Sequence, residues 1–340
     1  MNLAERIRHE IEASGPIPFS RYMELCLYDP TDGFYASGGA GRRRDFITSP
    51  EIGPLFGQLV AVALDRCWVG LGEPEHITFV DVGAGPGTLA RSIIAAQPRC
   101  LPALEYVAVE VSQSQRELHP DGIRSTASLP EDIETGVIFA NELLDNLPFD
   151  IASFEPVEGW SDVRVGVDGD RLVEVLSPVA APTWVTHNPV TSVRIPVQQA
   201  ARMFVAEASE ALSVGKIVVV DYAVPAYPTD PDRTWLRTYR DHGEAKGVLD
   251  DPGTQDITAD VDLAGLENIR RPSRVITQAQ WLQELGVDDL VDAGRDYWQR
   301  HAARPDLRAM EMRSRIGEAA ALVDPRGLGG FSVIEWESPV

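Results

Sequence analysis

The segment that most limits what this chain can fold into lies at residues 77–96. Ile77–Val82 is a six-residue run of mainly apolar residues, which is typical of a buried strand. It leads into Gly83-Ala84-Gly85-Pro86-Gly87, and Thr88–Ala96 then has a helical pattern. Glycines at such a junction let the backbone turn sharply and approach a ligand, and the first amides of the helix can bind an anionic group. The segment therefore predicts a strand–loop–helix unit that holds a ligand.

The alternation of strands and helices continues beyond this unit. Further strands are predicted at Leu104–Val111, Ile123–Thr126, Gly136–Ala140, Lys216–Tyr222 and Arg274–Ile276. Because helical crossovers join parallel strands, this order predicts an α/β fold with an open, mostly parallel, Rossmann-like sheet and helices on both faces. A last strand at Phe331–Trp336 is expected to run antiparallel.

The remaining sequence predicts additions to the sheet. The expected parts are an N-terminal helical and lid region at 1–72, an α/β core at 73–150 and 196–276, a hairpin insertion at 151–195, and a helical region with the last strand at 277–340. The hairpin is inferred from two alternating segments around an Asp-Gly turn at Asp168-Gly169. The stretch from Tyr222 to about residue 258 is expected to be a long loop.

Composition narrows the choice of partner. The 340 residues carry a net charge of −22, which repels a nucleic-acid backbone and would attract a cationic substrate. No stretch approaches the roughly 20 apolar residues of a membrane span. The three scattered cysteines lack the spacing of a metal site, and the N-terminus has no apolar signal segment. A cytoplasmic protein without a metal, without membrane insertion and without a nucleic-acid partner is expected.

The spacing of the glycines distinguishes between two kinds of cofactor. A dinucleotide fingerprint would place its third glycine at position 88, which is Thr. Gly83, Gly85 and Gly87 instead form a G-x-G-x-G pattern after Asp81, similar to the cofactor loop of class I S-adenosylmethionine (SAM) methyltransferases. Glu110 stands at the end of the next strand, where an acidic residue would accept hydrogen bonds from ribose hydroxyls. Asp81 is either a loop organiser or a contact to the methionine amino group.

Polar residues follow the fourth predicted strand. Asn141, Glu142 and Asp145 come directly after Gly136–Ala140. In open α/β sheets, ligands bind beyond the carboxyl ends of the strands, so these residues are predicted to face the methyl group and its acceptor. Glu142 and Asp145 would share one face if the segment were helical. The alternative is that the carboxylates cap a following helix.

Two loops supply further candidates. His242 lies in a polar and aromatic stretch after the fifth strand and is a candidate catalytic residue, although a lone histidine is more often structural. Arg42-Arg43-Arg44 follows a glycine-rich stretch, so this segment is predicted as either a lid over the substrate or a solvated loop.

These motifs together resemble the MidA-type methyltransferase family, whose mitochondrial members are assembly factors of respiratory complex I. The resemblance extends from about residue 12 to residue 336. Its most specific parts are Thr48-Ser49-Pro50-Glu51 and Asn141–Pro148. The sequence departs from the family pattern at Ala223, where glycine is usual, and at Asp260, where histidine is usual.

The resemblance implies a SAM-dependent enzyme that methylates an arginine of a protein, such as a respiratory-chain subunit, and releases S-adenosylhomocysteine. The glycine loop, Glu110 and Asn141 would hold SAM, and Glu142 and Asp145 would hold the guanidinium between carboxylates. A homodimer is compatible with the sequence. Three alternatives stay open: a SAM-binding assembly protein with little catalysis, a small-molecule methyltransferase and, least favoured, a nicotinamide dehydrogenase.

Overall fold

A computed structural model describes residues 1–36, 48–182, 189–227, 234–240, 243–244 and 247–338 of the chain. The chain forms two compact units. The first unit contains residues 1–46, 143–206 and 223–271, and the second contains residues 47–142, 207–222 and 272–340. Each unit is made of three separate segments of the chain. The four-part division from the sequence is a different kind of division, and it stays a prediction.

The helices of the described residues are numbered in chain order. They are α1 (Leu3–Ser14), α2 (Phe19–Tyr28), α3 (Ser49–Ile52), α4 (Pro54–Gly70), α5 (Thr88–Ala96), α6 (Gln113–Arg116), α7 (Gln199–Ala211), α8 (Leu263–Glu267), α9 (Gln278–Glu284), α10 (Val287–His301) and α11 (Leu307–Leu322). Within the described ranges, no helix is long and apolar enough to span a bilayer.

The strands are numbered in the same way. They are β1 (Ile17–Pro18), β2 (Ile77–Val82), β3 (Leu104–Val109), β4 (Arg124–Thr126), β5 (Ile133–Asn141), β6 (Asp150–Glu155), β7 (Gly159–Asp168), β8 (Arg171–Pro178), β9 (Val193–Val197), β10 (Leu212–Asp221), β11 (Ala223–Val224), β12 (Leu236–Arg240), β13 (Gly243–Glu244), β14 (Asp256–Ala259), β15 (Val261–Asp262), β16 (Arg274–Thr277) and β17 (Ser332–Ser338).

The second unit is built on a seven-stranded sheet in the order β16-β17-β10-β5-β2-β3-β4. The five strands from β10 to β4 pair in parallel, and β17 pairs antiparallel with both β10 and β16. The core between the sheet and its helices is mainly aliphatic, and it contains a run of aromatic contacts in which Phe79, Phe139 and Trp281 pack in sequence. The predicted mostly parallel α/β sheet with an antiparallel last strand is confirmed.

The first unit contains an antiparallel five-stranded sheet in which β7 pairs with β1, β6 and β8, and β6 pairs with β9. The predicted hairpin corresponds to β7 and β8. Helix α1 packs its buried Leu3, Ile7 and Ile11 into the core of this unit, as their spacing of four predicts. Two smaller sheets, β11-β15 and β13-β12-β14, complete the unit.

The prediction of one long loop from Tyr222 to residue 258 is wrong. The segment contains β11, β12 and β13, and β14 begins at Asp256. Strand β12 reads Leu-Arg-Thr-Tyr-Arg, and it pairs antiparallel with both β13 and β14. Without an apolar run or an adjacent turn motif, such a strand leaves little local signal. Helices α6 and α8 are short, at four and five residues.

Two glycines allow β5 and β10 to pair closely. Gly215 lies opposite Gly136 in the parallel register, and its φ of +137° is one that residues with a side chain rarely adopt. A Cβ atom at residue 215 would lie 1.8 Å from the carbonyl oxygen of Gly136. The central pairing of the sheet therefore requires glycine at this position.

We expect Gly215→Ala to lower the free energy of unfolding by about 2–4 kcal/mol, because it adds a backbone clash to conformational strain. The matched control is Gly72→Ala. Gly72 also has a positive φ (+83°), but no described atom lies within 4 Å of the position that its Cβ would occupy. That control should lose only about 1 kcal/mol. Urea unfolding followed by circular dichroism measures both. Equal losses would contradict the close approach of the two strands.

Candidate functional site

The site lies at the carboxyl edge of the parallel strands in the second unit. Strand β2 has β3 on one side and β5 on the other, so the order of the strands reverses around it. Val82 of β2 is paired with Val109 of β3 and with Ala140 of β5. The next residue of each strand therefore reaches the same edge, and these residues are Gly83, Glu110 and Asn141. A reversal of this kind is the usual ligand position in an open α/β sheet.

The glycine loop is fixed to β3 by backbone hydrogen bonds. The amides of Gly83 and Ala84 both donate to the carbonyl of Val109, at 2.9 and 3.1 Å. Gly85 has a φ of +52°, and no described atom lies within 4 Å of the position that its Cβ would occupy. A side chain would fill this space, so glycine keeps the backbone open to a ligand. The loop then enters α5 at Thr88.

Glu110 connects the loop to the end of β3. Its Oε2 accepts a hydrogen bond from the Gly85 amide (3.0 Å), and its Oε1 accepts one from the Ser112 amide (2.8 Å). A carboxylate has about four acceptor positions, so two more donors can be accommodated. The half-buried side chain thus fits a ligand with hydroxyl groups, such as a ribose.

His119 also contacts the loop, and sequence reasoning missed it. Its Nε2 lies 2.9 Å from the carbonyl oxygen of Gly85, and its Nδ1 lies 2.9 Å from the Ser125 hydroxyl on β4. Glu110 and His119 therefore hold the two backbone polar groups of Gly85. No motif surrounds His119, so only the fold brings it to the loop.

Asp81 lies below the loop on β2 and is 3% exposed. The Tyr106 hydroxyl donates a hydrogen bond to its Oδ2 at 2.7 Å. Burial raises the pKa of Asp81 to about 7, and the Glu110 charge adds to the rise, although the Tyr106 hydrogen bond acts in the opposite direction. The carboxyl group is therefore largely neutral in mildly acidic solution.

Glu142 follows β5 in a left-handed conformation with a φ of +53°. A residue with a side chain adopts this conformation rarely, and such residues concentrate at functional sites. Its amide donates to the carbonyl of Val220 (2.8 Å). Its Oε1 accepts hydrogen bonds from the Ser49 amide (2.9 Å) and from Asn141 Nδ2 (2.8 Å). The carboxylate thus lies at the carboxyl edge of the sheet in a fixed orientation.

Asn141 offers an acceptor at the same edge. Because its amide nitrogen faces the Glu142 carboxylate, its Oδ1 is the atom that remains. This oxygen is buried and has no hydrogen-bond partner among the residues that the structure describes. Buried acceptors are rarely left unsatisfied, so the position fits a ligand that donates an N–H group.

The Thr-Ser-Pro-Glu motif lies next to the loop, in the short helix α3. Glu51 accepts a hydrogen bond from the Thr88 hydroxyl at the start of α5 (2.7 Å), and Ser49 binds Glu142. The sequence identified this motif only through the family resemblance. Its contacts arise from chain segments that are far apart in sequence.

Asp145 belongs to the first unit, whereas Glu142 belongs to the second. The expected helical face shared by the two carboxylates is wrong, as is the alternative of a helix capped by them. Residues 142–149 form an irregular turn, and β6 begins at Asp150. Asp145 is 4% exposed, and its carbonyl accepts a hydrogen bond from the Ala259 amide (3.0 Å).

Other predicted residues have different outcomes. His242 and Arg42-Arg43-Arg44 lie outside the described residues. Asp260, which replaces the usual histidine, is fully buried in the first unit and accepts a hydrogen bond from Arg237 Nη2 at 2.7 Å. Its charge is therefore balanced by an arginine of the same unit.

Known proteins show similarity over most of the chain. The human protein arginine methyltransferase NDUFAF7, mitochondrial, is 29% identical over 332 residues, covering 84% of this chain and 74% of its own length. The Drosophila melanogaster homologue is 29% identical over 315 residues, covering 79% and 70%. Because these relatives are named as mitochondrial proteins, the prediction of a cytoplasmic protein is wrong.

A crystal structure of a COG1565 superfamily member from Burkholderia thailandensis with bound S-adenosyl-homocysteine has the same fold. It superposes with a TM-score of 0.83 at 28% identity, covering 98% of this chain and 91% of that one. The family model described as "Putative S-adenosyl-L-methionine-dependent methyltransferase" matches residues 59–279, which is more than half of the chain. The resemblance to MidA-type methyltransferases is confirmed, and SAM is the cofactor. The chain belongs to this family of SAM-dependent methyltransferases.

Proposed function

We propose that the chain transfers a methyl group from SAM to an arginine side chain of a protein. The observation that carries the proposal is the Glu142 carboxylate, which is held in a rare backbone conformation at the edge of the sheet beside the glycine loop. A fixed carboxylate suits a cationic acceptor. The relatives named as protein arginine methyltransferases support the same acceptor.

The proposed cofactor site consists of the glycine loop, Glu110 and Asn141. SAM supplies an electrophilic methyl group on a sulfonium. Glu110 would accept hydrogen bonds from the ribose hydroxyls, and the Asn141 Oδ1 would accept one from an amino group of the cofactor. Gly83, Gly85 and Gly87 would let the backbone approach it. Asp81 is proposed as the loop organiser, because it is buried and bonded to Tyr106.

Glu142 is the residue that we propose binds the acceptor arginine. An arginine keeps its charge in proteins because its pKa lies far above neutral pH, so a carboxylate can orient the planar guanidinium by paired hydrogen bonds. Alignment of the acceptor nitrogen with the methyl group is the main catalytic requirement, since positioning alone can lower a barrier by several kcal/mol. Asp145 and His242 stay candidates from the sequence. A respiratory-chain subunit is the proposed protein acceptor, on the strength of the MidA-type resemblance.

The alternatives differ in where the methyl group goes. A SAM-binding assembly protein would bind S-adenosylhomocysteine without transferring label from methyl-labelled SAM to any protein of a lysate. A small-molecule methyltransferase would place the label only in low-mass products. Label recovered as methylarginine after protein hydrolysis supports the proposal.

We expect Glu110→Ala to weaken S-adenosylhomocysteine binding about 10- to 100-fold, because it removes hydrogen bonds to a charged acceptor that are each worth about 1.5–3 kcal/mol. Isothermal titration calorimetry measures the dissociation constant. Glu105→Ala is the control, since Glu105 is an exposed residue at the other end of β3. An unchanged dissociation constant for Glu110→Ala would exclude the ribose-binding role.

We expect Glu142→Gln to reduce protein methylation about 10- to 100-fold while S-adenosylhomocysteine binding stays within about twofold. Glutamine keeps the acceptor oxygen for Ser49 and removes the charge needed for a guanidinium. The readout is incorporation of labelled methyl groups into lysate protein at saturating SAM. Glu134→Gln, at the exposed start of β5, should behave as the unmodified protein. Full methylation by Glu142→Gln would refute the role of Glu142 in binding the acceptor arginine.

We expect the free energy of unfolding of the cofactor-free protein to fall as the pH rises from about 4 to 7, because of Asp81. The folded-state pKa of about 7 lies above the ordinary value of 3.8, so the folded state binds the extra proton. The Asp81 contribution is therefore full below about pH 4 and is lost as the pH rises through 7, by at most about 4 kcal/mol. Asp81→Asn does not titrate, so its stability relative to the unmodified protein should rise over this range.

Urea unfolding at pH 5, 6, 7 and 8 measures this difference. Tyr106→Phe provides a second check. It removes the hydrogen bond that lowers the Asp81 pKa, and the loss of stability should then extend to higher pH. A difference between Asp81→Asn and the unmodified protein that does not change with pH would show that Asp81 does not titrate in this way.

A further inference from the structure

A buried chain of hydrogen bonds in the second unit leads from α11 to Glu142. Gln278 and Ser49 are both fully buried. Gln278 Nε2 donates to the carbonyl of Leu322 at the end of α11 (3.0 Å), and its Oε1 accepts from the Ser49 hydroxyl (3.0 Å). The Ser49 amide in turn donates to Glu142 Oε1 (2.9 Å). Four segments that are distant in sequence are thereby connected.

The side chain of Gln278 is not needed to begin α9. Its backbone amide already donates to the carbonyl of Phe331 (2.7 Å), and Thr277 forms a capping box with Gln280. An apolar residue could fill the buried volume, whereas a glutamine must have its polar atoms satisfied. Both polar groups of Gln278 are used, one for α11 and one for Ser49. The side-chain amide of Gln278 therefore holds Ser49 in position relative to α11.

Ser49 has little local support. Helix α3 contains only four residues, and no side-chain hydrogen bond caps its start at Thr48. The Ser49 hydroxyl bond to Gln278 therefore fixes the residue whose amide holds Glu142. Glu142 itself has a φ of +53°, and a conformation of this kind persists only when the surrounding structure holds it.

We propose that Ser49 and Gln278 are positioning residues for methyl transfer. They hold the Glu142 carboxylate in the orientation that receives the cationic acceptor, and they act through Glu142 without touching the cofactor. This inference rests on the proposed function, because it requires Glu142 to bind the acceptor. It also makes α9 and α11 contributors to the alignment of the acceptor.

The first test is kinetic. Ser49→Ala and Gln278→Leu should each reduce the initial rate of label transfer roughly tenfold at saturating SAM, with lysate protein from a strain lacking the enzyme as acceptor. The KM for SAM and the dissociation constant of S-adenosylhomocysteine should stay within about twofold of those of the unmodified protein. The double variant should be no slower than the slower single variant, because both changes break one chain.

Gln278→Glu tests the proposal through the pH dependence of the methylation rate, which would not change if Gln278 had only a structural role. Burial raises the pKa of such a carboxyl, and its neutral form can donate to Leu322 and accept from Ser49 as glutamine does. Its ionised form cannot donate. The rate of Gln278→Glu relative to the unmodified protein should therefore fall at least threefold between pH 6 and pH 8.

Hydrogen exchange of the Ser49 amide tests the geometry without an acceptor. Exchange should be at least tenfold faster in Gln278→Leu, because the Ser49 hydroxyl loses its partner and the Ser49 amide then separates more often from Glu142. The matched control is Gln198→Leu. Gln198 is another buried glutamine, with hydrogen bonds to the carbonyl of Asp260 and the amide of Asp262, and it has no link to Glu142 in the described contacts. This control should leave the Ser49 exchange rate unchanged.

The outcomes separate the two proposals. Full activity of Glu142→Gln overturns the proposed function and this inference with it. Reduced activity of Glu142→Gln, with normal rates and normal Ser49 exchange in folded Gln278→Leu, overturns the inference alone. If Gln278→Leu does not fold, the smaller change Ser49→Ala decides by its rate and its KM for SAM, and a rate equal to that of the unmodified protein overturns the inference.

Discussion

The site depends on the parallel register of three strands. Val82 lies in register with Val109 on one side and with Ala140 on the other, so three chain segments leave the sheet at one edge. Their next residues are a glycine, an acid and an amide. A shift of any of these strands by one residue would turn all of its side chains to the opposite face of the sheet, because side chains alternate along a strand. Backbone pairing thus sets the geometry, and the side chains determine what can bind there.

Partly buried polar contacts then hold the edge in place. Gly85 is held through its amide by Glu110 and through its carbonyl by His119, while Glu142 is held by Ser49 and Asn141. Hydrogen bonds are stronger in a medium of low dielectric constant, and an unsatisfied partner there is costly. A site of this kind does not have to reorganise when a ligand arrives. Such preorganisation is what an in-line transfer requires of the protein.

The large negative charge does not by itself locate an acceptor. In the first unit, Asp260 is paired with Arg237 at 2.7 Å and Asp262 with Arg202 at 3.6 Å. These buried acids contribute to the formal charge of −22 but are balanced where they lie. The position of Glu142 at the sheet edge is therefore the more specific indication of a cationic acceptor.

The sequence alone determined the features that depend on local pattern. Strand Ile77–Val82 and helix Thr88–Ala96 were predicted with the bounds that the structure has, because a buried strand, a glycine turn and a helix each leave a signal within a few residues. The position of Glu110 followed from the spacing between such elements. The same reasoning failed for β12 and β14. These two strands pair with each other across the residues between them, and neither has a strong strand pattern of its own.

Only the tertiary structure decided which polar residues meet. Ser49 and Gln278 are separated by 229 positions, and His119 and Gly85 by 34, so no local pattern links them. It also decided that residues 142–149 form an irregular turn with Glu142 in a left-handed conformation, because the contacts of Glu142 with Ser49 and Val220 outweigh local preference. Local propensity identifies strands and helices, but a hydrogen bond between distant segments exists only after the chain has folded.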